Sequence, residues 1–203
     1  MNDFYYTPNP EAVHKIQKWN FELLGNQISF TTDNGVFSKK RVDYGSVVLI
    51  NAFNINKIPA GKILDLGCGY GPVGIALAKK YTERKFDLVD VNNRALALAE
   101  NNAKNNGVSA QLSIYSSNIY ENVKENFAAI IVNPPVRAGK EVVNTMLSEA
   151  KEHLVLGGTL TAVLQKKQGA PSAKKLMKNT FGNCEIIKKD KGYYILESIY
   201  NGK

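Results

Sequence analysis

Lys62-Ile63-Leu64-Asp65-Leu66-Gly67-Cys68-Gly69-Tyr70-Gly71-Pro72-Val73-Gly74 decides the fold. Ile63 to Leu66 is a short apolar strand. Three glycines at alternate positions follow, where the backbone can turn tightly and approach a ligand with no Cβ in the way. The apolar run from Val73 to Lys80 then reads as a helix. Strand, Gly-rich turn and helix, in that order, open a parallel α/β sheet.

Reading onward, strand and helix patterns alternate. Phe86 to Val91 is a second strand. Arg94 to Asn106 is a helix with Ala95, Leu96, Ala99 and Ala103 on one face, stopped by Gly107. Ala110 to Tyr115 is a third strand. Ala128 to Val132 is a fourth, continuously apolar as in a strand covered on both faces. Val142, Met146, Ala150 and Leu154 recur every four residues, which predicts a helix over Lys140 to His153, broken by Gly157-Gly158. Thr159 to Leu164 is a fifth strand and Ser172 to Asn179 a helix. Glu185 to Lys189 and Tyr193 to Tyr200 are strands six and seven. Their turn, Asp190-Lys191-Gly192, is too short for a crossover, so they pair antiparallel. The expected fold is α/β: a three-layer, Rossmann-like, seven-stranded sheet, parallel with an antiparallel C-terminal strand.

Reading backward, Gly45 to Phe53 looks helical. Ile28 to Thr32, Asp33-Asn34-Gly35 and Val36-Phe37 read as a hairpin, because Asn-Gly tolerates the positive φ of a tight turn. Residues 1–27 are polar with scattered aromatics and no clear period. The whole chain, 1–203, reads as one domain: residues 1–58 an N-terminal hairpin and helix extension, residues 59–203 the core.

Composition narrows the class. The 203 residues are 44% hydrophobic and 22% charged, which excludes disordered and disulfide-rich classes. No uncharged apolar run reaches the roughly 18 residues of a membrane helix. Met1-Asn2-Asp3-Phe4-Tyr5-Tyr6 lacks the basic-then-apolar order of a signal peptide; Cys68 and Cys184 are too few for a disulfide framework, so a cytoplasmic protein is expected. Two cysteines and two well-separated histidines offer no metal-ligand spacing, so no metal is expected. Twenty-six Lys and Arg against 18 Asp and Glu leave a net charge of +8. The excess clusters at Lys39-Lys40-Arg41 and through Lys166, Lys167, Lys174, Lys175, Lys178, Lys188, Lys189 and Lys191. It suits a polyanionic partner, or equally a solvated lysine-rich face.

In a parallel α/β sheet, ligands bind outside the carboxyl ends of the strands. Four turns therefore carry the information. Gly69-Tyr70-Gly71-Pro72-Val73-Gly74 also fits a dinucleotide pattern, but Asp65 at the strand tip suits a cation or an ammonium better than a pyrophosphate. Asp90 ends the second strand, where a carboxylate can accept from both ribose hydroxyls or cap the next helix. Asn118, after the third strand, offers a donor and an acceptor that suit an adenine edge, or serves as a plain turn residue. Asn133-Pro134-Pro135 follows the fourth strand. Two prolines remove two backbone donors and leave carbonyl acceptors free. Convergent acceptors suit a planar –NH2 group and would turn its lone pair along one line. Cys68, in the Gly-rich turn with no histidine near in sequence, reads as a small residue and not as a nucleophile. Tyr193, Tyr194 and Tyr200 read as sheet residues.

With these turns in place the chain resembles class I S-adenosylmethionine-dependent methyltransferases. Asp65-Leu66-Gly67-Cys68-Gly69-Tyr70-Gly71 matches their first motif, Asp90 their ribose-binding acidic position, and Asn133-Pro134-Pro135 the motif of enzymes that methylate exocyclic or amide nitrogens. More narrowly, Gly35-Val36-Phe37-Ser38, Asp43-Tyr44-Gly45-Ser46 and Asn133 to Lys140 resemble the methyltransferase small domain family, over about residues 25 to 200. That family includes the RsmC-type enzymes of small-subunit rRNA, which methylate guanine N2.

The resemblance implies S-adenosyl-L-methionine as cofactor, with Gly67, Cys68, Gly69 and Gly71 along its methionine part and Asp65 facing its ammonium. Asp90 and Val91 would hold the ribose, and Asn118 and Ile119 the adenine. Asn133, Pro134 and Pro135 would hold the target amine. Phe37 and Asp43 would close the substrate side, and Arg137 and Lys140 would meet RNA phosphate. The family often has Asp where this chain has Asn118. Relatives that stack the target ring often carry an aromatic where this chain has Val136, which counts against a DNA-adenine or glutamine substrate. RsmC-type enzymes carry a second, degenerate copy of the domain, and this chain shows one copy.

The expected activity is methyl transfer to guanine N2 of 16S rRNA, with RNA or the assembled small subunit as partner. The alternatives are a protein glutamine methyltransferase of the release-factor type, an NAD-dependent reductase, and a non-catalytic RNA-binding protein.

Overall fold

The fully buried strand at the centre of the sheet explains the layering. In a computed structural model, which describes residues 6–202, Phe127–Val132 is buried at every position. Its side chains alternate: Ala129 and Ile131 enter one core, Ile130 and Val132 the other. Helices on both faces therefore follow. The opening Met1-Asn2-Asp3-Phe4-Tyr5 lies outside the described residues.

In chain order the elements are β1 (Gln17–Leu23), β2 (Asn26–Thr32), α1 (Tyr44–Ala52), β3 (Ile63–Leu66), α2 (Pro72–Lys80), β4 (Phe86–Asp90) and α3 (Asn93–Asn105). There follow β5 (Leu112–Ser116), β6 (Phe127–Val132), α4 (Lys140–Ser148), β7 (Leu154–Gln165), α5 (Ala170–Phe181), β8 (Glu185–Asp190) and β9 (Tyr193–Ile199). The main sheet has seven strands in the order β5-β4-β3-β6-β7-β9-β8. β3, β4, β5, β6 and β7 pair parallel, and β9 runs antiparallel between β7 and β8. The order reverses at β3, so the carboxyl ends of β3, β4 and β6 open a crevice there. Residues of α1, α2 and α3 share one core with Ile63, Ala129 and Ile131, and residues of α4 and α5 share the other with Leu64, Ile130 and Val132.

The expected N-terminal hairpin is placed differently. β1 pairs antiparallel with β2, Leu23 opposite Asn26, and Leu24-Gly25 makes the turn. Leu24 adopts φ +52, which a bulky residue rarely does, so the turn carries no sequence signal. Asp33-Asn34-Gly35 is no hairpin turn. The Asp33 carboxylate accepts from the backbone N–H of Lys15 and Asn34 and from His14 Nδ1, tying down the incoming chain. Two asparagines one helical turn apart, Asn102 in the last turn of α3 and its C-cap Asn106, dock β2: Asn102 exchanges hydrogen bonds with the Thr31 backbone and Asn106 with that of Ser29.

Gly157-Gly158 also acts differently from expectation. The helix from Lys140 tightens into a 3-10 turn at Glu149–His153, and the chain enters β7 at Leu154. The glycines lie inside that strand, where the register against β6 jumps. A Cβ on Gly158 would sit 2.8 Å from the Val155 carbonyl and 3.0 Å from that of Phe127, so only glycine fits the bulge.

Candidate functional site

The crevice at the switch point is a continuous cavity of about 1440 Å³. All four informative turns open into it.

The Gly-rich turn is built by its neighbours. Asp65, at 3% exposure, accepts a 2.8 Å hydrogen bond from the Gly74 N–H at the start of α2. Gly67 and Cys68 donate their N–H groups to the Val89 carbonyl, and Gly69 donates to Asp90 Oδ2 at 2.8 Å. Gly69, at φ +57, has nothing within 4 Å of where a Cβ would lie, so the turn leaves open space above the strands. Gly71 has a structural role and does not line the cavity. It caps α2 at φ +88, and a Cβ there would meet Ile75 Cδ1 at 2.8 Å.

Two carboxylates face this turn. Burial pushes the Asp65 carboxyl up to about 7, although the Gly74 N–H opposes it. Burial also raises Asp90, against the hydrogen bonds from Asn92, Gly69 and Val91. Among the described residues neither carboxylate has a cationic side chain within 4 Å, so the pair suits a positively charged ligand. The competing role for Asp90, capping α3, belongs to Asn92, whose side chain accepts from Ala95 N–H. Burial and the charges of Asp90 and Asp65 push the Cys68 thiol well up, so it stays protonated and unreactive.

Val91, Asn118 and Ile119 line the same cavity beyond Asp90, with Ile119 held at φ +53. On the other side stands Asn133. Its amide is fixed: Nδ2 donates to Asp43 Oδ2 at 3.1 Å and to Ser46 Oγ at 2.9 Å. Both amide protons are thereby taken and Oδ1 is left as the acceptor. Asp43 is also the N-cap of α1, accepting from the Ser46 N–H at 3.2 Å. Pro134 and Pro135 line the cavity beside Asn133, and Phe37 and Arg137 stand at its mouth. Lys140 begins α4 on the exposed surface and does not line the cavity.

Several lining residues carried no sequence signal. Tyr6, Ala12 and Val13, from the segment before β1, line the cavity. Arg94 holds that segment, donating to the carbonyls of Ala12, Pro10 and Asn34 at 2.7, 2.9 and 3.0 Å. Gln165, Gln168 and Tyr193 form the wall at the ends of β7 and β9. Among the described residues no cluster of His, Cys, Asp and Glu could hold a metal ion, and no helix is long and apolar enough to cross a membrane.

Comparison with known proteins gives this geometry a context. The methyltransferase small domain model matches residues 27–197. An uncharacterized protein of Bacillus subtilis, YbxB, is 44% identical over 200 residues, covering 98% of both chains. Ribosomal RNA small subunit methyltransferase C of Photorhabdus laumondii is 34% identical over 173 residues, 83% of this chain and 49% of that protein. The chain thus spans about half the length of that relative. Among solved structures, the T. thermophilus 16S rRNA N2 G1207 methyltransferase in complex with AdoMet and guanosine superposes with a TM-score of 0.83 at 22% identity, over 95% of this chain and 52% of that one. At that identity the likeness speaks for the fold.

Proposed function

The chain belongs to the methyltransferase small domain family, and on that premise we propose that it transfers a methyl group from S-adenosylmethionine to an exocyclic amine of RNA, with guanine N2 of 16S rRNA as the target. The observation that carries this reading is the locked amide of Asn133, which faces the same cavity as the Gly-rich turn and Asp90.

Asp65, Gly67, Cys68 and Gly69 would hold the methionine part of the cofactor, Asp90 and Val91 the ribose, and Asn118 and Ile119 the adenine. The buried, unneutralised Asp65 and Asp90 fit a ligand that carries an ammonium and a sulfonium. When bound, the cofactor supplies an electrophilic methyl group on that sulfonium. Asn133 Oδ1 accepts one proton of the target amine, and the Pro134 carbonyl accepts the other. The amine lone pair then lies along one line, and the excess proton leaves to water. The contribution of these groups is positioning and electrostatics.

The substrate class rests on charge. Lys40, Arg41 and Arg137 border the cavity, and Lys166 and Lys167 lie exposed beyond the end of β7. None of these five has a carboxylate within 4 Å among the described residues. Such a rim favours a phosphate backbone over a neutral protein loop.

The experiment is transfer of labelled methyl to ribosomal subunits and bare rRNA from a strain lacking this protein. Label in guanine N2 of one rRNA fragment is the expected result. Label in purified release factor and in no RNA would replace this reading with the glutamine one.

A further inference from the structure

Asn133 has no aromatic neighbour in its own turn, where Val136 follows the two prolines. The ring beside the site comes instead from the far end of the chain. A Cβ on Gly45 would lie 2.8 Å from Tyr193 Cε1 and 2.9 Å from Asp43 Oδ2, so one missing side chain lets the ring approach the carboxylate that holds Asn133. The Tyr193 ring is fixed from two sides. Tyr44 packs against it at 5.7 Å between centroids, and Gln165 Nε2 donates to its hydroxyl at 2.8 Å. Tyr193 is half-buried and lines the cavity.

The sheet sets the spacing. Val132 pairs with Ala162, and Gln165 with Tyr193, so β7 separates the strand of Asn133 from the strand of Tyr193. Two inter-strand steps of about 10 Å in all, with a two-residue stagger of about 7 Å along β7, put Asn133 and Tyr193 about 12 Å apart along the sheet. A ring stacked on Tyr193 lies about 3.5–4 Å from it, and the amine at the ring's edge spans the rest of the way to Asn133. Val163, buried near the end of β7 on the same face as Tyr193, lies between the two strands.

We propose that Tyr193 is the wall against which the ring bearing the target amine stacks, with Gln165 fixing the wall. The inference rests on the RNA reading above: an aromatic face suits a nucleobase, which has a π-face of its own whatever its sequence context. It assigns Tyr193 to substrate and leaves the cofactor side untouched.

The test compares Tyr193→Phe with Tyr193→Leu on the rRNA fragment that the parent methylates. Leu keeps apolar bulk against Gly45 and Tyr44 but has no π-face. Y193L is expected to lose ten- to a hundredfold in kcat/KM, carried by KM, the size of one base–aromatic stack. Y193F is expected to stay within about threefold of the parent, and cofactor affinity to be the same in all three. If Leu melts the β8–β9 turn, Tyr193→Met takes its place. Equal losses in the aromatic and aliphatic variants, or a loss confined to kcat, would overturn the wall and leave the RNA reading standing. Absence of methyl transfer to any RNA by the parent would overturn both.

Discussion

Asp43 and Asn133 lie 90 residues apart in the chain and 3.1 Å apart in the fold, carboxylate oxygen to amide nitrogen. One side chain thereby performs two tasks, capping α1 and fixing the rotamer of the amide that would receive the amine. Asp43→Ala should lower kcat about ten- to a hundredfold, since small displacements of a positioning group cost that much. It should also cost about 1 kcal/mol of stability through the lost cap. Asp43→Asn keeps a capping oxygen and should restore the stability more fully than the rate. Single-turnover rates with urea melts of both variants check this.

The uncompensated lysines beyond β7 should govern affinity for RNA more than its chemistry. Lys166→Glu with Lys167→Glu should weaken binding to an rRNA fragment uniformly across sequences. The slope of log K against log salt should fall by about one for each phosphate no longer neutralised. Cofactor affinity should not change, because neither residue lines the cavity. A salt series by fluorescence anisotropy on parent and double variant measures it. An unchanged slope would place the RNA on another face.

Gly74 lacks a side chain for a packing reason, while its N–H serves Asp65. A Cβ there would lie 2.6 to 2.9 Å from three atoms of the Leu88 side chain, which is itself fully buried in β4. Gly74→Ala should therefore cost about 1–3 kcal/mol as an overpacked core substitution, despite the better helix propensity of alanine. Combining it with Leu88→Val, which shortens the obstructing side chain, should recover part of the loss. Denaturant titration of the two single variants and the double variant gives the coupling directly.

The core strands were legible because burial on both faces leaves a continuous apolar run, as in Phe127–Val132. The Gly-rich turn after β3 and Asn133-Pro134-Pro135 stood out because glycine frees the backbone and proline restricts it wherever they occur. The N-terminal hairpin was not. Trp19, Phe21 and Leu23 alternate with Lys18, Asn20 and Glu22, but the turn that would announce a hairpin has Leu24 at positive φ, while Asn34-Gly35 offers a false one. Gly157-Gly158 misled for a similar reason: a glycine pair ends a helix or bulges a strand, and only the register against β6 decides. Tyr193 and Arg94 were legible as strand and helix residues, but their places in the site were not. Their partners, Gly45 and the carbonyls of Pro10, Ala12 and Asn34, are distant in the chain and mostly backbone.

Asp65 joins the site to the pH dependence of the protein. Its folded-state carboxyl titrates near 7 and its unfolded one near 3.8, because burial disfavours the charge. The sign follows: the folded state holds this proton more tightly, so the contribution is fully present below about pH 4 and is lost as pH rises through 7. Three pH units correspond to about 4 kcal/mol. Asp65→Asn removes the titration while its amide oxygen can still accept from Gly74. The stability of D65N relative to the parent should therefore climb between pH 4 and 7, by up to about 4 kcal/mol, and then level off. A cationic ligand reverses the balance. It should bind the parent more tightly as pH rises through 7, release a proton below that point, and bind D65N poorly at every pH. Calorimetry with S-adenosylmethionine in two buffers of different ionisation enthalpy counts that proton. Equal proton release by parent and D65N would assign the titration to another group.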